Sequence, residues 1–271
     1  MTAPSPPDVL RRINARRRER IAETGGEDAA GWAEGAPRTP ADNAFLAALR
    51  KRRPSQSPPA IIAEVKMGSP RLGSLHGRVD PVAQARTYAA HGAAALSVVV
   101  EPDFFHGGYE LLAACRQASG LPAIAKDFIV DPVQLLWARD AGADAILLIA
   151  ALYEPEEMAR YARLARGLGL VPLVETHDAA DVARLGGEPW EIVGVNNRDL
   201  RTFDVDLQNS IALLAGLPAE AVKVAESGIR DALDVALLAE SGFDAFLIGE
   251  TLLLADDPAA KLRGLLSGAE A

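Results

Sequence analysis

Ile61-Ile62-Ala63-Glu64-Val65-Lys66 decides how the chain is read, because the same kind of segment returns seven more times. A run of about five to seven apolar residues, rich in Val, Ile, Leu and Ala, is what a strand buried on both faces looks like. The further runs are Ala94–Val100, Pro122–Lys126, Asp144–Ala150, Leu170–Glu175, Glu191–Asn196, Val222–Glu226 and Asp244–Gly249. Their starts lie 33, 28, 22, 26, 21, 31 and 22 residues apart, which leaves room for a helix after each. Asp80-Pro81 and Asp131-Pro132 are N-cap and N1-proline pairs. His91-Gly92-Ala93, Ala141-Gly142-Ala143 and Ser241-Gly242-Phe243 are helix stops. Eight strand–helix units describe one (β/α)8 TIM barrel of the α/β class. A doubly wound open sheet is the alternative, but it usually has fewer strands, and no Gly-x-Gly-x-x-Gly turn follows the first strand.

Outside the repeat the chain changes character. Residues 1–60 carry a net charge of +4 and residues 61–271 a net charge of −13. The first segment holds Pro4, Pro6 and Pro7, the basic stretch Arg11 to Arg18, a Gly/Pro-rich stretch from Gly25 to Pro40, and a helical pattern from Ala41 to Arg53. In that last pattern Phe45, Leu46 and Leu49 share one side. Residues 1–58 therefore read as a helical extension packing on a barrel of residues 59–271. Its seven acidic residues disfavour a transit peptide.

The formal charge of the 271 residues is −9, which argues against nucleic acid as a partner. No apolar run approaches the roughly 20 residues that span a bilayer, so no membrane association is expected. An apolar secretory h-region is also missing. The single cysteine, Cys115, excludes an intramolecular disulfide and fits a cytoplasmic, reducing setting. His76, His91, His106 and His177 lack metal-ligand spacing, and no metal is expected. A monomer is the expected state.

Active sites of such barrels lie at the C-terminal ends of the strands. Polar residues gather at those ends: Glu64 and Lys66 at the end of run one, Glu101 just after run two, Lys126-Asp127 closing run three, Glu175 closing run five, Asn196-Asn197-Arg198 closing run six. Glu64 and Lys66 are two apart and so face the same side of their strand. A lysine in a barrel mouth is costly unless paired, and the glutamates supply pairing together with perturbed acids and bases. Ser227-Gly228-Ile229-Arg230 and Gly249-Glu250-Thr251 are glycine-containing turns that enter helices after runs seven and eight. Their backbone N–H groups suit a phosphate dianion, and the side chain of Glu250 must then turn away from it. The segment Met67–Val79 is long and glycine-rich, as a closing lid would be.

Several motifs then appear in a fixed order. They are Ile62-Ala63-Glu64-Val65-Lys66 with Ser69-Pro70, Lys126-Asp127-Phe128, Leu147-Leu148-Ile149, Val174-Glu175-x-His177, Gly194-Val195-Asn196-Asn197-Arg198-Asp199-Leu200, Ala225-Glu226-Ser227-Gly228-Ile229 and Ile248-Gly249-Glu250. The set resembles the indole-3-glycerol phosphate synthase family over nearly the whole chain, including an extra helix at Phe45–Leu49. The resemblance implies a carboxy-lyase of tryptophan biosynthesis that uses no cofactor. It closes the indole ring of 1-(2-carboxyphenylamino)-1-deoxyribulose 5-phosphate with loss of carbon dioxide and water. Lys126 matches the general-acid lysine and Glu175 the carboxylate proposed as base, with Glu64 and Lys66 as partners. Asn196 and Arg198 match the pair that orients polar groups of the substrate. Ser69 matches a substrate-contacting serine, while Phe105, Phe128 and Leu147 would line the aromatic pocket. Ser227, Gly228, Gly249 and Glu250 would hold phosphate.

The chain departs from the family pattern in places. The first loop, Lys66-Met67-Gly68-Ser69-Pro70-Arg71, replaces a usual basic residue and a usual serine. Val100 stands for a common threonine and Ala125 for a common arginine. Three other readings fit these residues less well. A sugar-phosphate or phosphoribosylanthranilate isomerase typically relies on a Cys–Asp or Asp–Asp pair, whereas Cys115 lies on a helix and the first strand ends Glu-x-Lys. A non-catalytic phosphometabolite-binding protein would not need both Lys126 and Glu175. A Schiff-base aldolase would need a carbonyl substrate trapped by a lysine.

Overall fold

The computed structural model describes residues 8–24, 42–50, 58–70 and 73–267. Eight parallel strands close into a barrel: β1 (Ala60–Val65), β2 (Ala95–Val99), β3 (Ala123–Lys126), β4 (Ala145–Ile149), β5 (Val171–Thr176), β6 (Ile192–Asn196), β7 (Val222–Glu226) and β8 (Ala245–Ile248). Each strand pairs with its sequence neighbours, and β1 closes the circle by pairing with both β2 and β8. All eight runs are strands, with ends within one or two residues of the expected ones.

The alternation of side chains sorts the core into two layers. Ile61, Ala63 and Val65 of β1 face outward with Tyr88 and Ala85, which lie on the helix that follows. Ala60 and Ile62 face inward with Ile124, Leu147, Leu173, Ile192, Val224 and Leu247. The outer helices begin as their caps dictate. Asp80 accepts from the N–H groups of Val82 and Ala83 at the start of Pro81–Ala90. The Asp131-Pro132 start is displaced by one residue, because the helix runs Val133–Asp140 and Asp131 accepts from the N–H of Val133. Gly92, Gly142 and Gly242 all have positive φ at the three helix stops, a backbone shape that side chains bearing a Cβ adopt at a cost.

Two helices of the N-terminal extension pack at opposite ends of the barrel. Ala44–Arg50 buries Phe45, Leu46 and Leu49 beneath the strand starts, against Ala60, Ala95 and Ala145. Asn43 fixes it there by donating from Nδ2 to the carbonyls of Asp144 and Gly169 at 2.8 and 3.0 Å. Of the expected pattern Ala41–Arg53, positions 41 and 51–53 lie outside the described residues, as do the stretches 1–7 and 25–40. The other helix, α1 (Asp8–Thr24), lies at the mouth. Its buried residues are Leu10, Ile13, Arg17 and Ile21, one stripe at helical spacing. Arg17 is on that stripe because Asp127 receives it: Nε and Nη2 lie 3.2 and 2.5 Å from the two carboxylate oxygens. Among the described residues, no helix is long and apolar enough to cross a membrane.

Candidate active site

Inward positions change from apolar to polar at the C-terminal ends of the strands. Two residues beyond Ile62, Ile124, Leu173 and Val224 come Glu64, Lys126, Glu175 and Glu226; Asn196 occupies the same level on β6. These five side chains form the floor of a cavity of about 460 Å³. The fourteen residues singled out from the sequence all line it. Lys66, Ser69 and Pro70 stand on the first βα loop; Phe105, Phe128 and Leu147 make an apolar wall; Arg198 stands opposite; Ser227, Gly228, Gly249 and Glu250 close the far rim. Phe105 and Phe128 have ring centroids 6.0 Å apart, so the wall is aromatic in part.

The floor is a charge network. Lys126 Nζ donates to Glu226 Oε2 at 2.8 Å and to Glu175 Oε2 at 3.3 Å. Lys66 Nζ donates to Glu64 Oε1 at 2.9 Å. Asn196 Nδ2 donates to Glu175 Oε1 at 3.2 Å, and Asn196 Oδ1 accepts from the N–H of Arg198. Burial works against the charge of Lys126, but Glu226, Glu175 and Glu64 together push its pKa well up, so it is an ammonium ion at neutral pH. Burial also opposes the charge of Glu64, and the fields of Lys66 and Lys126 overcome it and hold Glu64 below the usual carboxylate range. Glu175 is held low against burial by Lys126 and His177, whereas burial beside Glu175 raises Glu226. Two carboxylates thus face one ammonium, and their surroundings push them in opposite directions, Glu175 down and Glu226 up.

Two glycines make room for these carboxylates. A Cβ on Gly249 would collide with Glu64 Oε1, and one on Gly194 with Glu226 Oε1. Both positions are closed to larger residues by side chains of the floor.

A family model described as "Indole-3-glycerol phosphate synthase" matches residues 10–265. The chain belongs to the indole-3-glycerol phosphate synthase family. A protein named indole-3-glycerol phosphate synthase from Azoarcus sp. (strain BH72) is 44% identical over 95% of this chain and 98% of its own. One of the same name from Acidithiobacillus ferrooxidans (strain ATCC 53993 / BNL-5-31) is 41% identical over the same shares. Solved structures show likeness in fold alone: a 3-hexulose-6-phosphate synthase from Salmonella typhimurium, TM-score 0.63 at 16% identity, covering 78% of this chain and 98% of that one. A thiamine phosphate pyrophosphorylase from Pyrococcus furiosus gives 0.58 at 14%, covering 81% and 98%.

In this indole-3-glycerol phosphate synthase family member, several strand-end residues turn out to build the fold. Glu101 is buried and accepts from the N–H groups of Asp103, Phe104 and Phe105, which shapes the loop that presents Phe105. Asp127 anchors α1 and also accepts from Tyr109 Oη and Gln134 Nε2. Asn197 donates to the carbonyls of Glu226 and Ser227 and so sets the turn after β7. The turn Ser227–Arg230 leads into a helix, as expected, but its glycine is not the helix start. The helix Ala232–Ser241 starts four residues after Gly228, and Asp231 already accepts from its first free N–H groups. What the turn offers is its own strained backbone, with Ser227 at φ 64° and Gly228 at φ 81°. Glu250 opens the four-residue helix Glu250–Leu253, and its carboxylate lies 3.4 Å from Arg198 Nη2.

Sequence reasoning left Glu226 out of the site, although it quoted the residue in a motif; strand period alone, two beyond Val224, marks it as inward. It also missed Val9, Leu10 and Ile13 of α1 as walls of the mouth. The first βα loop forms a two-residue ribbon, Gly68–Ser69 with Gly73–Ser74, beside His106. Arg71 lies outside the described residues.

Proposed function

We propose that this protein converts 1-(2-carboxyphenylamino)-1-deoxyribulose 5-phosphate into indole-3-glycerol phosphate, carbon dioxide and water. The observation that carries the reading is Lys126: its Nζ lies between two buried glutamates, 2.8 Å from Glu226 and 3.3 Å from Glu175, below an aromatic wall. The ring carbon bearing the carboxylate attacks the ketone carbon, and Lys126 gives the ketone oxygen its proton as the charge develops there. Carbon dioxide then leaves, and its bonding electrons restore the ring. The new hydroxyl departs as water as neighbouring protons pass to the carboxylates, with Glu175 as base and the Glu64–Lys66 pair alongside. Because the carboxylate leaves as neutral carbon dioxide, each turnover takes up one proton, and Glu226, raised by burial beside Glu175, is placed to supply it.

Asn196 and Arg198 would orient the substrate, and the guanidinium fork suits its carboxylate. Phe105, Phe128 and Leu147 would hold the aryl ring, and Ser69 would reach it from the first loop. The phosphate would sit against the backbone of Ser227, Gly228 and Gly249, close to Glu250. In this reading residues 1–58 serve the barrel of residues 59–271, with the helix Ala44–Arg50 at its base and Asp8–Thr24 at its mouth. The protein works as a cytoplasmic monomer on a small phosphorylated molecule, without nucleic acid or membrane.

The test is indole fluorescence on mixing the purified protein with that substrate, with no metal or cofactor added, beside Lys126→Ala. Product from the parent and a loss of at least about hundredfold in kcat for the variant are expected. Near-normal turnover by Lys126→Ala would remove the assignment of Lys126. A folded parent that makes no product would favour a phosphometabolite-binding protein.

A further inference from the structure

Glu175 and Glu226 face the same ammonium, and Lys126 is closer to Glu226, at 2.8 against 3.3 Å. Lys126 alone would therefore favour Glu226 as the ionised partner. The rest of the structure points the other way. Glu226 Oε1 is buried without a hydrogen-bond partner, a poor setting for a full carboxylate charge. Glu175 Oε1 receives Asn196 Nδ2 and lies 3.1 Å from Nε2 of His177, an ion-pair contact in which Nε2 is buried and makes no well-aligned hydrogen bond.

His177 has no part in the ring closure described above. It follows β5 and is almost wholly buried, with its ring between two carboxylates. Nδ1 lies 3.3 Å from Asp181 Oδ2, and the same oxygen accepts from the backbone N–H of His177 at 2.9 Å. Asn209 Nδ2 donates to the His177 carbonyl at 3.0 Å. The backbone and one ring nitrogen are thus fixed, which leaves the other nitrogen facing Glu175. The charged groups around His177 are Glu175 on β5, Asp178, Asp181 and Arg184 on or at the start of the helix Ala179–Arg184, and Asp199, Arg201, Asp204 and Asp206 across a second cavity after β6.

We propose that His177, oriented by Asp181, is a positioning residue that holds Glu175 as the charged member of the Glu175–Glu226 pair and thereby places the active-site proton on Glu226. The proposal rests on the ring-closure reading of this pocket. Its physical basis is asymmetry. A second cation at Glu175, and among the described residues no ion pair at Glu226 beyond Lys126, reverses the order that the Lys126 distances alone would set. Burial lowers the imidazole, but hydrogen bonding and charge from Asp181 and Glu175 outweigh it and carry His177 up to about 10, so the ring is charged at neutral pH.

The experiment compares kcat and KM across pH for the parent, His177→Asn and Asp181→Asn, and follows the imidazole 15N shifts of the parent by NMR. His177→Asn keeps a donor and removes the charge. Losing a cation this close should raise the acid limb of kcat by about one pH unit and lower kcat about tenfold, with KM within about twofold. Asp181→Asn should move both in the same direction by less. An unmoved acid limb with kcat within about twofold of the parent would overturn the proposal. If the variants fail to fold, the NMR decides: a ring doubly protonated through pH 9 supports the proposal, and one that titrates near 6.5 overturns it. A parent that makes no product, with His177 still charged at pH 9, would sink the ring-closure reading and leave the placement of charge intact.

Discussion

Replacing Arg17 by alanine should loosen α1 from the barrel mouth without unfolding the barrel. Arg17 is 3% exposed and Asp127 1% exposed, so the pair is dry. Breaking a buried pair from one side costs roughly 3–5 kcal/mol, because the abandoned charge stays buried. Asp127 keeps Tyr109 Oη at 2.8 Å, Gln134 Nε2 at 2.9 Å and the N–H of Phe128 at 2.9 Å, so the lower end applies, about 3 kcal/mol. That energy bears on the docking of α1, where about 3 kcal/mol is a factor of roughly 150 in the docking equilibrium. Leu10, Ile13 and Ile21 still hold the helix by burial. Val9, Leu10 and Ile13 also wall the cavity, so substrate binding should weaken while the floor stays intact. Hydrogen exchange is the direct assay. Amides within residues 12–24 should lose up to about hundredfold protection, those of β4 to β7 should keep theirs, and KM should rise more than kcat falls. Equal loss of protection in α1 and in β4 to β7 would refute the argument, as would unchanged exchange in α1.

Three further outcomes follow from other contacts. Gly249→Ala drives a methyl into the Glu64 carboxylate and should cost about 1–3 kcal/mol of stability, with a fall in kcat as Glu64 leaves Lys66; full activity and an unchanged melting temperature would show that the floor yields freely. Glu250→Gln removes a carboxylate from the phosphate rim and frees Arg198, so KM should fall a few-fold; a rise in KM would mean that Glu250 positions Arg198 productively. His177 has a folded pKa raised to about 10 from an ordinary 6.5, so its contribution is complete below pH 6.5 and is lost as pH climbs toward 10. Denaturant titrations should show stability falling by up to about 5 kcal/mol across that window in the parent and far less in His177→Asn; parallel curves would contradict the buried imidazolium.

What could be read in advance was whatever depends on local spacing. The eight apolar runs give eight strands because period and length are properties of a few neighbouring residues. The same period put Glu64 and Lys66 on one side of their strand and would have put Lys126 and Glu226 on inward faces too. Phe45, Leu46 and Leu49 declared a buried face, but not that it covers the base of the barrel. Arg17 sits in a basic run that reads as solvated, and only the approach of Asp127, 110 residues away, draws it inside. Lys126 meets Glu226 across 100 residues, and that meeting exists only because the sheet closes on itself and brings the ends of β3, β5 and β7 to one floor. Which glutamate is ionised depends on burial and on every charge within a few ångströms, and no spacing along the chain encodes those distances. The sequence alone settled the strand–helix repeat and the residue types at the strand ends. Barrel closure and dehydration decided which of those ends face one another and where the proton rests.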